Sequence, residues 1–145
     1  MNGKNISVFW RAVQVWTIII FAEFLHGILR TVFFQPLAGD FRARQIGVFT
    51  GILIILTISY FFVDRIRAGN NRQLFLTGVL WLVLTVAFEI SLGRLLNLSW
   101  ERIFEDYDIA NGGLMPVGLL FLMFAPLIVM RLRNKFPIRY ETDKR

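Results

Sequence analysis

Four long apolar runs constrain this chain more than any other feature of its sequence. They lie at residues 12–34, 46–63, 74–95 and 114–130, and each is long enough for an α-helix to cross roughly 30 Å of hydrocarbon. Lipid offers no partners for backbone N–H and C=O groups, so a spanning segment must satisfy them internally, as a helix does. The sequence therefore predicts an all-α integral membrane protein, a four-transmembrane-helix bundle.

Composition agrees with this class and excludes several others. Hydrophobic residues make up 56% of the 145 residues and charged residues 18%, which leaves too little polar surface for a soluble domain. Without cysteine, the chain forms no disulfide, thiolate metal site or iron–sulfur cluster. The net charge of +6 comes mainly from helix ends, so membrane lipid is the expected partner and nucleic acid is not.

The basic residues are divided unequally between the two ends of the predicted helices. With four crossings, one side of the membrane receives both termini and the turn between helices 2 and 3, and holds 11 of the 16 basic residues. These are Lys4, Arg11, Arg65, Arg67, Arg72, Arg131, Arg133, Lys135, Arg139, Lys144 and Arg145. Because Lys and Arg accumulate in cytoplasmic loops, we predict both termini in the cytoplasm (N-in, C-in) and location in a bacterial inner (plasma) membrane.

Turn signals set the predicted boundaries within a single transmembrane domain. Proline disfavours the α conformation of the residue before it, so Pro36 is expected to end helix 1, and Asp40 is expected to cap helix 2. The polar stretch around Asn70 predicts helices 2 and 3 as antiparallel neighbours, and Pro126 predicts a kink in helix 4. Within the domain at 1–145, the helices are expected at about 12–34, 41–64, 74–95 and 114–130, with a mobile basic cytoplasmic tail at 131–145.

The loop between helices 3 and 4 carries a helical pattern of its own. Trp100, Ile103, Phe104 and Tyr107 recur at i, i+3, i+4 and i+7, and charged residues occupy most of the positions between them. This spacing predicts a short amphipathic helix at about 99–108, capped by Ser99 and lying in the outer interface of the membrane.

Charged residues inside the apolar runs are the candidates for function. Glu23, His26 and Arg30 are spaced i, i+3 and i+7, so at about 100° per residue they share one face of helix 1. Glu89 on helix 3 is the fourth member, expected near the depth of His26. Intramembrane ionisable residues are costly and usually functional, so we interpret the four as a buried polar site towards the outer face. The alternative is an ion-pair network that fixes helix packing.

Two further sets of residues belong to this prediction. Gly47 and Gly51 form a small-x-x-x-small stripe on helix 2, against which the polar face of helix 1 can pack. Charged residues at the outer helix ends and in the outer loop are expected around the mouth of the site. They are Arg42, Arg44, Arg94, Asp106 and Asp108.

Metal binding is limited by the single histidine. A di-iron site of paired Glu-x-x-His motifs, or a bis-histidine haem, cannot be built from one copy of this chain. We therefore expect no metal and no other cofactor. One alternative keeps Glu23, His26 and Glu89 as ligands of a single divalent metal ion.

Three functions remain open from the sequence. The leading hypothesis is a proton- or cation-coupled small-solute transporter or channel, in which Glu23 and Glu89 exchange protons or bind a cation. Four helices enclose little volume, so this hypothesis includes a homo-oligomer. The second is a non-catalytic accessory subunit that docks with a partner membrane subunit. The third is a membrane enzyme acting on a lipid or quinone, with Glu23 and His26 as an acid–base pair.

Overall fold

The computed structural model describes residues 3–135, and this part of the chain is helical throughout, with short connections and no strand. A π-helical turn, Arg30–Phe34, joins the first two helices, and a 3-10 turn, Ile109–Asn111, precedes the last. The helices are α1 (Gly3–Leu29), α2 (Gln35–Ala38), α3 (Asp40–Ile66), α4 (Asn71–Leu95), α5 (Trp100–Glu105) and α6 (Met115–Lys135).

Four helical segments are long and apolar enough to cross a membrane, as the sequence predicts. They are Asn5–Ala38, Asp40–Ile66, Asn71–Leu95 and Met115–Lys135. We call the end with the start of α1, residues 67–70 and the end of α6 the basic end, and the end with α2 and residues 96–114 the loop end. Residues 131–135, assigned from the sequence to the tail, belong to α6, and the rest of the tail lies outside the described residues.

The first helix does not end at Pro36, which corrects the prediction. α1 passes into the π-helical turn, and α2 then holds Pro36 in its first turn, with Gln35 at φ −61° and ψ −40°. A first turn needs no N–H from proline, so the residue is tolerated there. The helical path ends at Gly39, whose φ of 79° suits a residue without a side chain.

The predicted helix cap at Asp40 is also wrong. Gly39 occupies the cap position of α3 without a side-chain hydrogen bond, and Asp40 is the first helical residue. Its Oδ2 lies 3.3 Å from Nη2 of Arg44, one turn further along. A guanidinium offers a carboxylate a charged partner in place of a backbone amide, and an acidic first turn also complements the helix dipole.

Packing around the bundle differs from the order of the helices along the chain. α6 packs along both α3 and α4, while α1 packs chiefly along α3 and touches α4 more lightly. The order around the bundle is therefore α1, α3, α6, α4. α3 and α4, joined by the short link at 67–70, run antiparallel as predicted for helices 2 and 3, but they are not neighbours along their lengths, because α6 lies between them.

Close contacts on both sides of α6 account for its position. A Cβ atom on Gly78 of α4 would overlap the carbonyl oxygen of Met123, so the two backbones touch. Small residues permit such close approach between membrane helices. On the α3 side, Arg133 donates from Nη1 to the carbonyl oxygen of Tyr60 at 2.8 Å, and its Nη2 lies 2.6 Å from Oδ2 of Asp64.

The basic end is closed by a packed apolar core. Trp81, fully buried, donates from Nε1 to the carbonyl oxygen of Ala12 at 2.9 Å, and Trp16 donates from Nε1 to Oγ1 of Thr85 at 3.0 Å. Both bonds join residues 69 positions apart, so α1 and α4 run parallel in one register. The surrounding core includes Val15, Val63, Ile66, Leu122, Ala125 and Val129.

The loop between α4 and α6 contains the predicted short helix in part. Ser99 caps α5 by accepting a hydrogen bond from the backbone N–H of Arg102 at 3.2 Å, as expected, but α5 ends at Glu105. The next turn is stabilised by Asp108, which accepts from the N–H groups of Ala110 and Asn111. Hydrogen bonding from the side chain of Asn111 lowers the pKa of Asp108. The amphipathic pattern therefore describes one and a half helical turns followed by a structured loop.

Candidate functional site

A cavity of about 630 Å³ occupies the loop-end half of the bundle and is partly open to its surroundings. All four spanning segments contribute to its wall, and so does the loop around Gly112. Its apolar floor, which includes Ile19, Ile55 and Leu122, rests on the core of the basic end. The structure brings the four residues predicted as the polar site to the wall of this one cavity. They are Glu23, His26, Arg30 and Glu89.

The polar face of α1 lies on the glycine stripe of α3, as predicted. A Cβ on Gly51 would stand 2.9 Å from Oε2 of Glu23, and a Cβ on Gly47 would stand 2.6 Å from Cδ of Arg30. Both glycines are buried. The missing side chains thus give two long charged side chains the space to cross the surface of α3.

Glu23, His26 and Thr50 form a short polar chain. Oε2 of Glu23 lies 3.4 Å from Nδ1 of His26, and Nε2 of His26 lies 2.8 Å from Oγ1 of Thr50. Thr50 also reaches the carbonyl oxygens of Ile46 and Gly47 at 3.1 Å. If its hydroxyl proton is donated to these carbonyls, His26 donates to Thr50 from Nε2 and faces Glu23 with Nδ1. One proton can then be held between carboxylate and imidazole.

The second oxygen of Glu23 has no such partner. Oε1 is buried and accepts no hydrogen bond within residues 3–135. A buried acceptor left unmatched costs about 1–3 kcal/mol, which a donor from a bound molecule would recover. This oxygen belongs to a residue on the cavity wall.

Glu89 is bound from the loop. Tyr107 donates from its hydroxyl to Oε2 of Glu89 at 2.9 Å. Burial, followed by the neighbouring charge of Glu89, raises the pKa of Tyr107, so its hydroxyl keeps its proton at neutral pH. Each indole hydrogen bond pairs a residue of α1 with the residue 69 positions later in α4. By the same offset, Glu89 lies level with Ile20. That is about 9 Å nearer the basic end than the expected depth of His26, at 1.5 Å per residue.

Arg30 also lines the cavity, beside the loop end. Its side chain has no hydrogen bond and no carboxylate within ion-pair distance among residues 3–135, although the charges of Asp106 and Asp40 act on it from further away. Its long side chain is held across α3 at Gly47. The site thus contains a positioned guanidinium whose donors are unused.

The other charges at the loop end neutralise one another. The guanidinium of Arg44 lies 2.9 Å from Glu105, 3.0 Å from Asp106 and 3.3 Å from Asp40. Arg102 contacts the same three carboxylates at 3.1 to 3.9 Å. The hydrogen bond from Arg44 lowers the pKa of Glu105 and keeps it ionised. This network fastens the loop after α4 to the first turn of α3.

Only part of the predicted mouth borders the cavity. Arg44 and Asp106 line it, whereas Arg42, Arg94 and Asp108 do not. Arg42 is exposed. Arg94 donates to the carbonyl oxygen of Leu98 at 3.0 Å and lies over the ring of Trp100. Asp108 accepts hydrogen bonds from backbone N–H groups in the turn that follows α5.

The alternative of a metal ion held by Glu23, His26 and Glu89 is not supported by the geometry. Residues 3–135 contain no group of three His, Cys, Asp or Glu side chains placed to hold a metal ion. Glu89 lies nearer the basic end than His26, and one oxygen of its carboxylate accepts a hydrogen bond from Tyr107. The three candidate ligands therefore do not converge.

Sequence reasoning missed the partners of the charged residues. Thr50 is a polar residue next to the glycine stripe, which could have indicated a partner for His26. Tyr107 is assigned by its spacing to the apolar face of the loop helix, yet it reaches Glu89. Asp40, Glu105 and Arg102 are ordinary surface charges in the sequence, and only the fold brings them to Arg44.

Comparison with known proteins gives no further information on the site. No protein-family model, curated protein or solved structure matches the chain.

Proposed function

We propose that the chain is a small-solute transporter or channel coupled to protons or cations, with the loop-end cavity as its binding site. The observation that carries this proposal is the one-sided cavity. Its wall holds Glu23, His26 and Glu89, while the core around Trp81 closes the opposite end of the bundle. A cavity confined to one half of the bundle, with a packed core between it and the opposite end, is the arrangement expected for one state of a carrier that exposes its site to each side in turn.

The polar chain supplies the coupling chemistry. Uptake or release of a proton by Glu23 changes the charge of the pair that it forms with His26. Thr50 holds the far side of the imidazole, with its Oγ1 at 2.8 Å from Nε2. Glu89 is joined through Tyr107 to the loop over the cavity. A change in charge at Glu89 would weaken a charge-assisted hydrogen bond and loosen that loop. Binding, proton exchange and loop position are thereby linked.

The setting of this function is also proposed. The basic residues favour an inner membrane with both termini in the cytoplasm, so the cavity would face the outer side. α5 would lie in the outer interface, with Trp100 exposed towards the headgroups. The broad exposed apolar face of α1 would contact lipid or a second copy. Phe21, Phe24, Leu25, Ile28 and Leu29 belong to that face, and Phe33 of the π-helical turn is also exposed.

The first test measures proton release or uptake by the purified protein in nanodiscs as sodium, tetraphenylphosphonium or dodecanoate is added. The wild type is expected to exchange protons with at least one of these probes. Glu23→Gln and Glu89→Gln are expected to keep the thermal stability of the wild type and lose the exchange, because they remove the titrating group and preserve its shape. Glu101→Gln, the same change at an exposed carboxylate of α5, is the matched control.

Two results would decide against the proposal. If the wild type exchanges no protons and the two glutamine variants lose stability, the polar cluster is scaffolding and a non-catalytic accessory subunit becomes the better hypothesis. If exchange persists in both variants, the protons come from elsewhere.

A probe that gives proton exchange in the wild type serves as the solute in reconstituted liposomes, where net movement separates transport from binding alone.

A membrane enzyme acting on a lipid or quinone is the second candidate. The cavity reaches His26, and most of its wall is apolar, including Ile52 and Leu119. Glu23 and His26 could then act as an acid–base pair on a carbonyl or ester of the bound molecule. Mass spectrometry of lipids after incubation with wild type and His26→Gln distinguishes this candidate, because a transporter leaves them chemically unchanged.

A further inference from the structure

The strongest unexplained feature of the cavity is the free guanidinium of Arg30. Two arginines among residues 3–135 line the cavity, Arg30 and Arg44. Arg44 is held by three carboxylates, whereas Arg30 has no carboxylate within ion-pair distance. A charge in the membrane is costly when nothing matches it. Within the described chain only the more distant carboxylates of Asp106 and Asp40 act on this charge, so the guanidinium, positioned by Gly47, has donors available for a bound molecule.

Charge at the rim does not fill this need. Asp40, Glu105 and Asp106 are each within ion-pair distance of both Arg44 and Arg102. Counting Arg30, three guanidiniums face three carboxylates. An incoming anion is therefore attracted by unused hydrogen-bond donors rather than by a net positive field. The planar guanidinium, with five N–H donors, matches the oxygens of a carboxylate or phosphate.

The rest of the cavity is suited to an apolar body. From Arg30 towards the basic end, the wall consists largely of aliphatic and aromatic side chains, which end in an apolar floor. Representative residues are Ile19, Ile52, Ile55, Phe88, Leu119 and Leu122. A volume of about 630 Å³ falls within the range of small-molecule sites. Three deeper polar groups interrupt this wall: Glu23, whose unmatched oxygen lies about 10 Å along the helix from Arg30, together with Glu89 and Thr85.

We infer that the cavity binds an organic anion with a single apolar body, its carboxylate or phosphate held by Arg30 near the loop end and its apolar part directed towards the floor beside Thr85. This inference rests on the proposed function and names the solute class of the same site. A proton taken up at Glu23 or Glu89 would balance the charge of such a solute during its movement.

The position of Trp16 allows direct measurement of this binding. Its indole donates to Thr85, which lines the cavity near the floor. Dodecanoate brominated at its terminal carbon would carry the quencher towards Trp16. Because Trp10 and Trp100 are exposed and would be quenched by probe outside the cavity, Trp10→Phe and Trp100→Phe are introduced as a common background, which leaves Trp16 and the buried Trp81.

The experiment titrates the protein in phosphatidylcholine nanodiscs with terminally brominated dodecanoate and with dodecanol brominated at the same position. The wild type is expected to bind the carboxylate at least about tenfold more tightly than the alcohol, as one charge-assisted hydrogen bond implies. Arg30→Gln should remove this preference and leave the alcohol unaffected. Arg30→Lys should restore part of it, because the charge returns without the planar fork.

Controls separate the alternatives. Arg42→Gln removes an exposed arginine at the same end of the bundle and should leave both affinities unchanged. Removing the unmatched charge of Arg30 should keep or raise thermal stability, so loss of binding would not reflect unfolding. Acetate and inorganic phosphate are added as competitors. If acetate or phosphate displaces the probe at the same concentration as unlabelled dodecanoate does, the site binds a small free anion. The inference of an anion with an apolar body is then wrong.

Equal affinity for carboxylate and alcohol in the wild type would overturn the inference, as would an unchanged ratio in Arg30→Gln. The proposed function fails by a different result. Proton exchange lost in Glu23→Gln, together with binding indifferent to the head group, would retain the transporter and reject the organic anion. Head-group preference without any proton exchange would retain the anion site and reject the coupling.

Discussion

Gly47 and Gly51 matter through the side chains that they lack. In α3 each leaves the space in which a charged side chain of α1 lies, Arg30 at Gly47 and Glu23 at Gly51. Interior glycine weakens a helix by roughly 0.5–1 kcal/mol relative to alanine, so this space has a cost. The site is thus specified by paired positions on two helices, one charged and one empty.

Gly51→Ala is expected to displace the carboxylate of Glu23, because the new Cβ would stand 2.9 Å from its Oε2. The carboxylate is the flexible end of its side chain, and alanine improves the helix, so the free energy of unfolding should change by less than about 1 kcal/mol. Proton exchange should nevertheless be lost. Thermal unfolding and the nanodisc proton assay measure the two effects separately.

Gly27→Ala is the matched control on α1. A Cβ there meets nothing within 4 Å, so the variant should gain roughly 0.5–1 kcal/mol from helix propensity and keep its proton exchange. Full exchange in Gly51→Ala would show that the position of Glu23 against α3 is irrelevant.

At the scale of helices, α4 and α6 approach closely enough for their backbones to touch. Gly78 touches the backbone of Met123, whereas the charged contacts of α1 with α3 involve side-chain ends. A helix backbone cannot yield as a side chain can. The interface of α4 with α6 is therefore the least tolerant of added volume, and it determines which helices are neighbours.

Gly78→Ala should destabilise the protein by about 1–3 kcal/mol, the usual cost of overpacking, because its Cβ would overlap a carbonyl group. Gly118→Ala, on α6, would bring a Cβ to 3.6 Å from Cγ1 of Val48, an ordinary contact, and should be neutral or stabilising. Thermal unfolding of both variants in nanodiscs provides the comparison. Equal melting temperatures for Gly78→Ala and the wild type would mean that the two backbones are further apart.

For the whole molecule, the structure defines two unlike ends. The basic end is packed around Trp81 and Ala12, and the loop end encloses the cavity beneath an ion-pair network centred on Arg44. All four spanning segments are apolar along their length, so their composition does not by itself distinguish the two ends. The difference arises because α1 meets α4 closely through two indole hydrogen bonds near the basic end and packs mainly on α3 elsewhere.

The chain has no cysteine, so its proposed orientation can be tested by labelling against an unreactive background. Glu101→Cys, exposed at the loop end, should react with a membrane-impermeant maleimide in intact bacterial cells. Asn71→Cys, exposed at the start of α4, should react only after permeabilisation. The opposite pattern would place both termini outside and turn the cavity towards the cytoplasm.

The charged residues of the cavity could be predicted from the sequence, but their hydrogen-bond partners could not. Spacing alone placed Glu23, His26 and Arg30 on one face, and the glycine stripe indicated the surface beneath them, because both follow from the helical repeat. Thr50 and Tyr107 could not be assigned as partners, since each comes from a distant segment. The exit of the first helical segment was predicted at Pro36 but lies at Gly39, because proline disfavours the α conformation of the residue before it but is accepted in a first helical turn.

The sequence by itself determined that there are four spanning helices and which face of α1 is charged, because hydrocarbon thickness and the helical repeat leave few other solutions. Only the tertiary structure decided that α6 lies between α3 and α4, that the side chain of Arg30 has no carboxylate within ion-pair distance among residues 3–135, and that a cavity forms at the loop end. Side-by-side order depends on how closely particular backbones approach, as Gly78 and Met123 do. That closeness is a property of paired surfaces, which no single helix contains.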